Sequence, residues 1–155
     1  MVGRTPELYV GCRIYTTENE MRGFPSFKMP WRKIRDIQPK ESYLFIINNA
    51  PYGDERPFNA LRLAMNLAKR GEAQVKVFLT ADGVVCARKG QKTPDGYYNI
   101  ERMIKAIALR GKVATRKTCC EARGFGLEDL TDGVEMGSLQ LQADWTVEAN
   151  KVLVF

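Results

Sequence analysis

The chain has 155 residues, enough for one domain with a real core, and its 45% hydrophobic and 27% charged content is that of an ordinary globular protein. It contains no histidine, so chemistry that needs an imidazole is excluded, and the four cysteines fit neither a disulfide framework nor a metal spacing. The net charge of +6 is concentrated at the front, where residues 1–40 carry eight Lys/Arg against four Asp/Glu; a solvated excess explains this better than a nucleic-acid footprint.

Residues 1–40 read as an extension to the domain that follows. They hold four of the seven prolines, and only Leu8–Val10 and Cys12–Tyr15 hint at short strands. Phe24, Phe27, Met29, Trp31, Ile34 and Ile37 make the segment too apolar for a plain linker, which favours packing on the domain or on a neighbouring subunit. No apolar run is long enough to span a bilayer and no secretory pattern opens the chain, so a cytoplasmic location is expected.

From residue 41 the punctuation is regular. Tyr43–Ile47 is a continuous apolar run of the kind expected for a strand buried on both faces. After a polar loop, Phe58, Leu61, Ala64, Met65 and Ala68 recur at helical spacing between Pro57 and Gly71. A second strand, Val75–Leu79, leads into a long loop from Thr80 to about Tyr98. Ile100, Met103, Ile104, Ile107 and Ala108 then form one face of a helix, with Asn99 as N-cap and Gly111 as terminator. A third strand is expected over Lys112–Thr118.

The C-terminal third is ambiguous. Leu139, Leu141, Ala143, Trp145, Val147 and Ala149 alternate with polar residues as in a strand. Val152–Phe155 is itself a strand, however, and a parallel return needs a crossover, so a helix is assigned to 138–149. Were it a strand, the end of the chain would be a hairpin in a mixed sheet. The whole pattern predicts an α/β three-layer sandwich, with a central, mainly parallel sheet of about five strands and helices on both faces.

In such a sheet ligands bind outside the carboxyl ends of the strands. Three segments reach that edge: Asn48–Arg56, Thr80–Cys86 and the Cys119-Cys120 pair. The thiols are flanked by Arg116, Lys117 and Arg123, and positive charge favours the nucleophilic thiolate. Burial as packing residues is the competing reading for Cys119 and Cys120, and likewise for Cys86 beside Val84 and Val85. Asp54, Glu55 and Asp82 read either as a carboxylate group or as solvated loop acids. The scattered glycines form no phosphate-binding pattern, and no motif calls for a cofactor.

Taken together, Thr80-Ala81-Asp82-Gly83-Val84, the Cys119-Cys120-Glu121-Ala122-Arg123-Gly124 stretch, Gly133–Ser138 and the terminal Val152-Leu153-Val154-Phe155 resemble the DsrE/DsrF-like family over roughly residues 42–155. The resemblance implies a compact α/β domain that assembles into trimers or hexamers. It also implies a persulfide carrier, a sulfurtransferase-like subunit exchanging sulfur with donor and acceptor proteins and needing no cofactor. Cys119 falls on the second of two cysteine positions found in many members, and Arg116 occupies the first. On this reading Cys119, with Cys120, carries the sulfur, Arg116 and Arg123 stabilise the thiolate, and Cys86 or Cys120 is the resolving thiol. The alternative is a non-enzymatic oligomeric domain that binds a small ligand or a protein, with incidental cysteines.

Overall fold

A computed structural model describes residues 41–155 together with two short strands, β1 (Tyr9–Val10) and β2 (Arg13–Ile14). The chain divides after Gln38, and the two parts are described separately. In the first, β1 and β2 pair antiparallel, Tyr9 opposite Ile14. The expectation that the apolar residues of 1–40 pack on the domain or on a neighbour, and Cys12 itself, lie outside the described residues.

The second part is a five-stranded sheet in the order β6-β5-β4-β3-β7, every neighbouring pair parallel. Its strands are β3 (Glu41–Ile47), β4 (Ala73–Leu79), β5 (Lys112–Arg116), β6 (Val134–Gly137) and β7 (Lys151–Val154). Four helices connect them: α1 (Arg56–Arg70), α2 (Ile100–Ala108), α3 (Lys117–Glu121) and α4 (Leu139–Glu148). The apolar run in β3 is buried on both faces because strand alternation divides it between two cores. Phe45 and Ile47 join Ala60, Leu61 and Ala64 of α1 and Ile104 and Ile107 of α2 in the larger core. Leu44 and Ile46 face the other way, with Phe78, Ala114 and Trp145 of α4.

The local signals for the helices act as expected. Pro57 occupies the first turn of α1, and Lys69 and Arg70 sit in its last turn, where cations complement the helix dipole. Asn99 caps α2 by accepting a hydrogen bond from the Arg102 N–H at 3.0 Å. Gly111 ends that helix in a different way from a left-handed turn. Its N–H bonds to the Ile107 carbonyl at 2.8 Å, and a Cβ there would fall 2.4 Å from the Val75 carbonyl oxygen, so it is glycine because β4 passes so close.

The stretch 138–149 is helical, as assigned: Ser138 caps α4 through the Leu141 N–H at 3.1 Å. The parallel return then places β7 beside β3, where the Asn150 side chain accepts from the Ser42 N–H at 2.9 Å. Two expectations need correction. The third strand stops at Arg116, two residues short of Thr118, because its ladder with β6 ends at the Arg116–Gly137 pair; Lys117 begins α3 instead. The long loop after β4 is not irregular throughout, for Ala81–Ala87 winds into a 3₁₀ helix. The Gly133–Ser138 stretch contains β6, a strand too short to announce itself. Among the described residues no helix is long and apolar enough to cross a membrane.

Candidate functional site

The carboxyl ends of β4 and β5 deliver the site. Leu79 and Thr115 are paired near the ends of the two strands, so the segments that follow them leave the sheet side by side. After β4 come Thr80 and the 3₁₀ helix; after β5 come Arg116 and α3. The 3₁₀ helix is drawn against the end of β3: the Gly83 N–H donates to the Asn48 carbonyl at 2.9 Å. A Cβ on Gly83 would lie 2.2 Å from the Ile47 carbonyl oxygen, an approach that only glycine permits.

Helical phase separates the two adjacent cysteines. Cys120 turns into the larger core and is fully buried, and burial pushes its thiol above the ordinary cysteine range. Cys119 is half-buried, packed against the rim of the same core, with its Sγ 3.8 Å from the Thr80 hydroxyl. Cys86, on the 3₁₀ helix, is fully buried in the larger core, its Sγ 3.9 Å from the Asn49 carbonyl oxygen, and burial pushes its thiol up to about 12. Of the three described cysteines, Cys119 alone has any access to solvent.

The two arginines go to different places. Arg116 closes β5, and strand alternation sends its side chain with Ala114 toward the α4 face, away from the core rim where Cys119 packs. Arg123 stays with the thiol's segment, but its donors are spent elsewhere. Nε bonds to Asp82 Oδ1 at 3.1 Å, Nη2 forms an ion pair with the same carboxylate, and Nη1 donates to the Cys119 carbonyl at 3.0 Å. Arg123 is thus a strut between the 3₁₀ helix and α3, with its charge matched by Asp82.

The other acids take no part. Asp54 accepts from Arg56 and from Asn49 Nδ2, and the Arg56 hydrogen bonds hold its carboxyl below the usual range. Among the described residues no cluster of three His, Cys, Asp or Glu side chains is placed to hold a metal ion. Sequence reasoning brings the thiols, Arg123 and the Thr80–Cys86 segment to one edge, but it gives Thr80 no role. The contact of its hydroxyl with Cys119 joins residues 39 apart, and no local signal announces it.

Comparison with known proteins shows the family and the fold. A model of the DsrE/DsrF-like family matches residues 41–155. Protein YchN of Escherichia coli is 39% identical over 117 residues, covering 74% of this chain and 99% of that protein. An uncharacterized protein of Methanopyrus kandleri is 36% identical over 110 residues, covering 71% of this chain and 90% of its own length. The crystal structure of the E. coli YchN protein superposes with a TM-score of 0.70, over 74% of this chain and 99% of that one. A protein of unknown function from Methanobacterium thermoautotrophicum, at 16% identity and a TM-score of 0.59 over 74% of this chain and 99% of its own, shares the fold.

Proposed function

The chain belongs to the DsrE/DsrF-like family, and on that footing we propose that it is a persulfide carrier, a sulfurtransferase-like subunit of an intracellular sulfur relay, with Cys119 as its acceptor. The observation that carries the reading is the sorting of the thiols. At the edge where α/β sheets bind their ligands, Cys119 is half-exposed while Cys86 and Cys120 are fully buried. A carrier needs one thiolate that a partner's sulfur can reach, and buried thiols do not compete with it.

The transfer is an exchange with no net oxidation. The Cys119 thiolate attacks the outer sulfur of a donor persulfide, R–S–SH. A new S–S bond forms, the donor's S–S bond breaks, and R–S⁻ departs as a thiolate. An acceptor thiolate then takes the outer sulfur by the same step in reverse, leaving Cys119 as it began. Both steps require the donor and acceptor to be proteins or small thiols that can approach the sheet edge. Cys120 and Cys86 support the site as packing residues, and resolution of the persulfide falls to the acceptor's own thiol.

We further propose that the carrier works as a closed homo-oligomer, a trimer or a hexamer. The edge strand β7 leaves Val152 and Val154 41% and 64% exposed, and Val147 on α4 is 87% exposed, so among the described residues these apolar side chains are available for contact with a neighbouring copy.

Intact-mass measurement after exposure to a sulfane-sulfur donor tests the main reading. Wild type should gain one sulfur that reductant removes, Cys119→Ser should gain none, and Cys12→Ser should behave as wild type. Equal labelling of Cys119→Ser and wild type would overturn the assignment. No labelling of any form would leave a binding domain with incidental cysteines.

A further inference from the structure

Ala81 has φ 49, in the left-handed region that a residue with a Cβ seldom enters; among the described residues only Tyr52 is another non-glycine with positive φ. Such a conformation is strained for a residue with a Cβ and persists only where the surroundings dictate it. Here they do. Thr80 N–H is bonded to the Ile47 carbonyl at 3.0 Å, Gly83 N–H to Asn48 at 2.9 Å, and the backbone at Gly83 is pressed against β3 with no room for a side chain. The chain is held at both ends of the turn, and Ala81 absorbs the mismatch.

Of the two residues beside Ala81, Thr80 contacts Cys119 directly and Asp82 is linked to it through Arg123. From one side Thr80 brings its hydroxyl to 3.8 Å from the thiol sulfur. From the other, Asp82 grips Arg123, whose Nη1 donates to the Cys119 carbonyl at 3.0 Å. With the Asp82 side chain 65% exposed, that ion pair adds little to stability, so its effect is on geometry. One strained tripeptide therefore addresses a single residue twice, once at its sulfur and once at its backbone.

We infer that the Thr80-Ala81-Asp82 turn is the positioning element of the working thiol. Thr80 donates a hydrogen bond to the Cys119 thiolate, and Asp82, acting through Arg123, fixes the α3 turn that carries it. This rests on Cys119 being the reactive thiol of the proposed carrier. The charged groups on its side of the sheet edge are Lys117, Glu121 and Arg123 on its own segment and Asp82 on the packed turn, Arg116 being directed to the opposite face, and Lys117 pairs with Glu121 at 3.7 Å. Thr80 is the uncharged donor among them and is 39 residues distant in sequence.

The test is the pH profile of Cys119 alkylation in the full chain, read by peptide mass, with persulfide loading measured on the same samples. Thr80→Val should move the midpoint up by about one pH unit and slow alkylation near neutral pH about tenfold, and Thr80→Ser should restore both. Thr80→Ala replaces the valine variant if that disturbs the turn. Asp82→Ala and Arg123→Ala should each slow alkylation by about three- to tenfold, and the double variant no further, because the pair acts as one strut. An unmoved midpoint in Thr80→Val and Thr80→Ala, or additive effects of the pair, overturns the inference. Loss of loading in wild type with the Thr80 shift intact removes the carrier reading and leaves the positioning turn standing.

Discussion

Cys86 offers a quantitative check on how strictly this fold sorts its thiols. Its side chain is fully buried, and burial raises the thiol from 9.0 to about 12. The folded state therefore favours the protonated form more strongly than the unfolded chain does. The resulting stability is present in full below about pH 9 and is lost as pH climbs from there toward 12. Within that window each pH unit removes about 1.4 kcal/mol, so at pH 10 about 1.4 kcal/mol has gone, and the full three-unit displacement is worth about 4 kcal/mol. Cys86→Ala deletes the titration. Unfolding by urea at fixed protein concentration, from neutral pH to pH 10, should show wild type losing about 1.4 kcal/mol more than the variant. Groups that Cys86 does not touch cancel in the difference, and Tyr52, whose hydroxyl is pushed up by burial and by the Cys86 charge, is replaced by phenylalanine in both proteins. Parallel pH dependences would mean that the Cys86 thiol ionises as freely folded as unfolded, and with that the case for Cys119 as the sole accessible described thiol would fail.

Two further expectations follow from the packing. Trp145 is 4% exposed, meets Phe78 edge-on at 6.0 Å and lies under the Lys76 ammonium at 5.5 Å, as the one fully engaged anchor of α4 on the smaller core. Trp145→Ala should cost about 3–5 kcal/mol in thermal or chemical unfolding, and a cost under about 1 kcal/mol would show that α4 is held by something else. For assembly, light scattering should give three or six times the 17.6 kDa chain mass over a range of concentrations, and a constant mass of one chain would remove the oligomer proposal.

Much of the fold was legible because its signals are local. The apolar run at 43–47, the helical spacing of Ile100, Met103, Ile104 and Ile107, and the Asn99 cap all depend on neighbours a few residues away. What escaped depends on distant partners. The end of β5 is set by where β6 stops pairing with it, which nothing in Arg116-Lys117-Thr118 encodes. β6 itself is Val134-Glu135-Met136-Gly137, four residues whose strand identity comes from lying beside β5. In α4 the alternating apolar positions imitate a strand because the helix covers its face of the sheet with little more than Trp145, so a full apolar stripe is not required of it.

The same division runs through the site and decides which cysteine is usable. Topology alone brought the segments after β4 and β5 to one edge. The choice between two adjacent thiols rests on whether the chain at 117–120 is strand or helix. Continued as a strand, residues 119 and 120 would point to opposite faces of the sheet, Cys119 on the side of Thr115 and the larger core, Cys120 on the side of Ala114. Because α3 begins at Lys117, successive residues are instead separated by about 100° around a helix axis, and it is Cys120 that turns into the core while Cys119 is left at its rim. Arg123 shows the complementary point. Beside a thiol in the sequence it reads as a charge that lowers the thiol's pKa, yet its guanidinium belongs to Asp82, 41 residues away. Any attempt to raise or lower the reactivity of Cys119 should therefore begin across the sheet edge, at Thr80 and Asp82, before the cations adjacent in the chain.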